Sequence, residues 1–260
     1  MPARSRRGVD WGTNGDLLCS ISFERLTRCT RMKALLVRIG VDQTYGGWNA
    51  PVTADGRFVY VPIPEALGTR FHPGLARRYG EVMSALERFC DDHDSDLHRD
   101  LAFPRDLLRR SMHLDPDFEC LTYGDVGSRR GARIATMVQG DLLVFYGGLR
   151  PIHQCEHTLI YALLGMYVVK EVVPASEVPA ERWYENAHVR KKTRGPTDIV
   201  VRAQPGVSGR FDRCIPIGEW RNGAYRVRHN IVRAWGGLSV KDAFIQRSAV
   251  PPHTMNPSDF

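Results

Sequence analysis

Residues 140–173 read GDLLVFYGGLRPIHQCEHTLIYALLGMYVVKEVV. Gly140-Asp141 is a turn signal, and the apolar run 142–146 behind it reads as a strand. Residues 158–173 read as one long strand, or as two joined by a bend at Gly165, because glycine inside a strand pattern marks a bulge. Tyr146 and the Gly147-Gly148 pair close the first strand. Glycine there lets a ligand approach the backbone, and serves a plain hairpin connection equally well.

Working outward, residues 33–40, KALLVRIG, read as a buried first strand. Residues 57–62 read as a short strand with Phe58 and Tyr60 on one face, and 133–138 as another. Further strands are expected at 198–203, 213–217 and 225–227. Helical spacing joins Leu75, Tyr79, Val82, Leu86 and Phe89. A short helix is expected from Ser176, as its cap, to Tyr184, with Pro179 in the first turn. Strands outnumber helices and alternate with them irregularly. That argues α+β with a curved mixed or antiparallel sheet, and against a doubly wound fold. No GxGxxG follows a strand, and no GKS or GKT is present.

Composition narrows the class. The apolar and charged fractions are those of a globular chain. The longest apolar run, around 159–173, is broken by Gly165 and Lys170, so no membrane partner is expected. The N-terminus lacks a secretory h-region, which makes the cytoplasm the expected location. Cys19, Cys29, Cys90, Cys120, Cys155 and Cys214 form no CxxC pair. They read as free thiols and argue against a zinc site made chiefly of cysteine. The net charge is +7, which suits a polyanionic partner. Residues 1–31 hold six arginines against Asp10, Asp16 and Glu24. They read as a basic, poorly ordered extension, with a phosphate-touching basic arm as the alternative, before a single domain at 32–250 and a loose tail at 251–260. A strand directly behind Met32 marks that residue as a candidate natural start.

Three stretches carry a family likeness. The first is LLVRIGVDQTYGGWNAP (35–51) with FVYVPIPE (58–65), and the second is HLDPDFECLTYGD (113–125). The third is GDLLVFYGGLRP (140–151), continued by GMYVVKEV (165–172) and NAHVR (186–190). Together they resemble the third nucleotide-modification-associated domain family over roughly residues 33–250. The resemblance implies base modification in bacterial or phage DNA. DNA rather than RNA, or a free nucleotide, would then be the partner. Residues 140–173 alone are similar to the PUA-like group that includes the ASCH and EVE domains. That likeness implies a PUA-like β-barrel with peripheral helices, holding a modified or flipped base.

Four groups of residues carry candidate chemistry. Asp42, Tyr45, Trp48 and Asn49 share a glycine-rich loop. A base pocket needs a flat ring for stacking and an amide for a base edge, which Tyr45 or Trp48 and Asn49 provide. Asp42 can accept from an exocyclic amine or act as a general base. A structural loop with Trp48 in the core accounts for the same residues. His113, Asp115 and Asp117 alternate on an extended segment that Pro116 disturbs. They suit acid/base work or a divalent metal, and equally a turn whose carboxylates cap backbone amides. No metal ligand or cofactor is assigned.

Asn186, His188 and Arg190 also alternate and would share a strand face. His188 suits proton transfer, and Arg190 with Lys192 suits a phosphate-contacting edge. A solvated charged face is the alternative. His153 and His157, four residues apart, suit a helical metal pair, but between two strands they read rather as a solvent-facing loop. The expectation is one concave surface where Trp48, Tyr146 and His188 gather around a nucleobase. Asp42, His113, Asp115 and His188 would be its catalytic groups. Base modification and non-catalytic reading of a modified base both remain open.

Overall fold

The computed structural model describes residues 32–43, 47–91, 103–128, 131–246 and 250–257. The basic segment 1–31 lies outside them. In chain order the described strands are β1 (Ala34–Arg38), β2 (Pro51–Val52), β3 (Ile63–Pro64), β4 (Met112–His113), β5 (Thr122–Val126), β6 (Leu142–Pro151), β7 (Ile160–Pro174), β8 (Asp198–Ala203), β9 (Gly209–Pro216), β10 (Gly218–Arg221) and β11 (Ala224–Val227). The helices are α1 (Gly80–Asp91), α2 (Arg105–Leu108), α3 (Ala132–Ala135), α4 (Ala187–Arg190) and α5 (His229–Ala234). Seven strands form one sheet, ordered β1-β6-β7-β8-β5, with β2 also on β6 and β9 also on β7. β1 and β2 run parallel to β6, and the remaining pairs are antiparallel. This is a mixed α+β architecture. Among the described residues the path ends on β1 and β5 and does not close into a barrel.

β6 is central because both its faces are apolar. Leu143, Phe145 and Leu149 enter one core with Leu35, Val37 and Tyr167. Val144 and Tyr146 enter a second with Leu36, Tyr161 and Leu163. β7 alternates in the same way until Gly165. Ala162 and Leu164 face the first core, but beyond the glycine Tyr167 and Val169 do so. The parity switch is a bulge. Phe145 pairs with Gly165 and Tyr146 with Leu163, so Leu164 is the extra residue. A Cβ on Gly165 would lie 2.6 Å from the Gly209 carbonyl oxygen and 2.8 Å from Cε1 of Phe118. The Phe118 ring packs edge-on against Tyr60, Phe145 and Tyr167. Gly165→Ala is therefore expected to cost about 1–3 kcal/mol as an overpacked site. Urea unfolding measures this, and an unchanged midpoint would contradict the close packing.

Several expected elements differ. Residues 57–62 are extended but carry only an isolated bridge, Val52 to Phe58, and so form no ladder. At 133–138 the chain makes the helical turn α3, because the buried pair is Ile134 and Met137, spaced by three rather than two. α1 begins at Gly80 rather than near Leu75, since Arg78 bridges to Ser111. Two 3₁₀ turns, Ala175–Glu177 and Ala180–Glu185, replace the helix expected from Ser176. The tail expected to be loose runs beside β1: Leu36 N–H donates to the Pro252 oxygen at 2.8 Å and Thr254 N–H to the Ala34 oxygen at 3.2 Å. No helix among the described residues is long and apolar enough to cross a membrane.

Candidate active site

The site lies along the β5 margin of the sheet. β4 pairs with β3, placing His113 opposite Ile63 and bringing Glu65 beside the ring. Two residues beyond His113, the Asp115 carboxylate accepts the Gly124 N–H with both oxygens, at 2.8 and 2.9 Å. β5 ends the sheet path, so its outward amide needs such a partner. α4 packs on β5 and β8 and carries His188. Asn186 caps it: its Oδ1 accepts the His188 N–H at 2.8 Å, while its Nδ2 donates to Asp115 Oδ1 at 3.2 Å. One amide thus positions both the helix and the carboxylate.

Glycine at 124 makes this convergence feasible. A Cβ there would stand 2.4 Å from Cδ2 of His188 and 2.6 Å from Asn186 Oδ1. The imidazole therefore lies directly against the strand. His113 Nε2 stands 3.6 Å from Asp115 Oδ2, and His188 Nε2 stands 3.7 Å from the same oxygen. The two rings are edge to face, with centroids 5.2 Å apart. Each ring's other nitrogen meets a carboxylate: His113 Nδ1 lies 2.8 Å from Glu65 Oε1, and His188 Nδ1 lies 3.0 Å from Asp198 Oδ2. Asp198 also accepts the Gly195 N–H at 3.0 Å. Lys191 Nζ approaches Glu65 Oε2 at 3.9 Å.

The electrostatics separate these carboxylates. Burial pushes the Asp115 carboxyl up to about 6, against downward pulls from His113, His188 and the Gly124 N–H. Burial also raises Glu65, but the hydrogen bond and charge of His113, with Lys191, outweigh it and hold Glu65 below its ordinary value. Asp198 is lowered likewise, burial being outweighed by His188 and the Gly195 N–H. Two carboxylates thus orient two rings, and both rings present Nε2 to a third. The cluster is suited to moving a proton, and His113, Asp115 and His188 each offer one ligand atom, all within 4.8 Å of one another. His113 is its most exposed member, with a side chain 16% exposed against 8% for His188 and 2% for Asp115.

The expected site residues divide among separate places. His113, Asp115, Asn186 and His188 meet. Asp117 turns away: its Oδ1 accepts the N–H groups of Glu119 and Cys120, as in the turn reading. Its Oδ2 binds Arg190 at 2.5 Å, and Arg190 is 3% exposed. Arg190 is therefore a buried structural cation and no phosphate contact. Asn186, His188 and Arg190 share a capped helical turn rather than a strand face. The Lys192 side chain is exposed.

Tyr146 is fully buried in the second core and donates to the Ile245 oxygen at 3.0 Å, so it stacks on no ligand. Asp42 is buried 3.6 Å from Arg38 Nε, its backbone oxygen accepts the Gly47 N–H at 3.0 Å, and it is no member of the histidine cluster. Trp48 packs edge-on against Phe103, and Asn49 Nδ2 donates to the Gly148 oxygen at 2.8 Å. Both line a cavity of about 710 Å³ with Arg150, His153 and His157, and none of His113, Asp115 or His188 lines it. Tyr45 lies outside the described residues. The single surface joining Trp48, Tyr146 and His188 is not formed, because β6 carries Tyr146 into a core. Glu65 and Asp198 escaped the sequence reading, since tertiary pairing alone brings them to the rings.

The family described as nucleotide modification associated domain 3 matches residues 33–240. No curated protein and no solved structure matches the chain.

Proposed function

The chain belongs to the nucleotide modification associated domain 3 family, and from that premise we propose that it is an enzyme modifying a base of nucleic acid at His113, Asp115 and His188. One observation carries the reading: two imidazole Nε2 atoms stand 3.6 and 3.7 Å from one carboxylate oxygen, each ring held by its own carboxylate. At those separations the three groups make no direct hydrogen bond with one another. Here Gly124, Glu65 and Asp198 hold three reactive groups apart, which is how a preorganised centre is built. The centre would take a proton from, or give one to, a ring or exocyclic atom of the base.

DNA in the cytoplasm is the substrate we assign, in line with the net charge of +7. Exposed Lys192 is the phosphate-contacting residue in this reading. A second reading, a PUA-like reader built on the β6–β7 hairpin, is favoured by the Trp48–Asn49 cavity. Its volume of about 710 Å³ falls in the range of small-ligand sites, and it offers a ring and Arg150.

Mass spectrometry of nucleosides from cells with and without the chain separates the two. An altered nucleoside that appears only with the chain is the expected result. Unaltered nucleosides, together with tight binding to DNA already modified, would replace the enzyme by the reader.

A further inference from the structure

We propose that His113 Nε2, Asp115 Oδ2 and His188 Nε2 bind a divalent first-row transition-metal ion. The inference deepens the proposed reaction centre and shares its residues, but it stands on geometry and is tested by metal binding alone.

The first support is direction. Each imidazole directs Nδ1 at a carboxylate, at 2.8 Å to Glu65 and 3.0 Å to Asp198. Metal-bound histidines are held in this way, with the far N–H on a carboxylate and the near lone pair on the ion. With Nδ1–H donating, both Nε2 atoms are lone-pair acceptors that face an acceptor oxygen. Apart from the Gly124 N–H on Asp115 Oδ2, these are three acceptors that repel one another, and a cation between them removes the repulsion.

The second support is spacing. Separations of 3.6 and 3.7 Å are too long for hydrogen bonds. They lie close to the ~3.0–3.6 Å between two ligands each bound ~2.1 Å from one ion. The Asp115 carboxylate is already fixed by Gly124 and Asn186, so little ordering remains for binding.

The third support is charge. Three carboxylates, Glu65, Asp115 and Asp198, face one ammonium, Lys191, around this group. With neutral rings, three negative charges against one positive leave two negative charges for a dication to cancel. Arg110 donates to the Glu65 backbone oxygen and Asp125 lies near Asp115, and these two offset each other. Two imidazole donors select a transition ion over Mg²⁺ or Ca²⁺, which prefer oxygen throughout. Three protein ligands leave a coordination position open, as in catalytic rather than structural sites. The rival balance is two protonated imidazoles and no metal.

The test uses the full chain without a histidine tag, stripped with EDTA. Zn²⁺, Co²⁺, Mn²⁺, Mg²⁺ and Ca²⁺ are titrated singly, and Fe²⁺ without oxygen. We expect one transition ion per chain by elemental analysis, visible Co²⁺ absorption, and a raised melting temperature. His229→Ala leaves binding unchanged. Asp198→Asn weakens it by ~10–100-fold, as loss of a ligand's supporting carboxylate does. The double variant His113→Ala/His188→Ala abolishes it.

No ion retained by the parent chain, retention of Mg²⁺ or Ca²⁺ alone, or equal affinity in the double variant (an adventitious ion only) would overturn the proposal. If the metal fails while an altered nucleoside still forms, the base-modification reading survives with proton transfer alone. If the metal binds and no nucleoside changes, the metal site survives and that reading falls.

Discussion

His188→Ala is expected to lower the yield of altered nucleoside by ~100-fold or more, the scale of a lost acid/base group. The substitution removes the Nε2 that faces Asp115 at 3.7 Å while sparing the local fold. Asn186 caps α4 through the His188 backbone N–H, which alanine keeps. Asp198 keeps its hydrogen bond from the Gly195 N–H. The stability cost is therefore about 1–3 kcal/mol, that of one charged hydrogen bond. Urea unfolding and circular dichroism, run beside the nucleoside assay, separate lost chemistry from lost fold. A variant that folds and still modifies DNA at the parent level would remove His188 from the centre.

Arg190→Ala is expected to destabilise the chain by about 3–5 kcal/mol, because it strands a buried charge. Asp117, at 0% exposure, would lose its 2.5 Å partner. The Tyr184 oxygen would lose its guanidinium donor as well. Asp117 also holds the turn at Glu119 and Cys120, and its backbone oxygen accepts the Tyr167 hydroxyl at 2.8 Å, so the damage reaches the first core. Such a loss is a large share of the ~5–15 kcal/mol that stabilises an ordinary domain. The urea midpoint measures it. An unmoved midpoint with weakened, less salt-dependent DNA binding would instead restore Arg190 as a phosphate contact.

What was legible in the sequence follows from how local each signal is. The β6–β7 hairpin and its bend at Gly165 were readable because long apolar runs around one glycine admit few other structures. Residues 133–138 misled because the buried positions, Ile134 and Met137, look strand-like until their spacing is counted. His113 and Asp115 come together as their alternation predicts, on the extended chain after β4. His188 reaches them from a helical turn capped by Asn186, where the sequence pattern predicts a strand.

Tyr146 was misassigned because a strand with two apolar faces buries its rings on both sides. Arg190 was misassigned because charged residues are usually exposed, and only the fold reveals Asp117 behind it. Glu65 and Asp198 carry no local signal. Glu65 is 48 residues from His113 in the chain, and it meets that ring only through β3–β4 pairing.

The most direct measurement takes the base-modification rates of the parent chain, His113→Ala, His188→Ala and the double variant in one assay. If both imidazoles serve one centre, either loss disables it and the double variant is no slower than the worse single one. Single losses that multiply in the double variant would show two independent contributions, and a cluster that is not a common reaction centre.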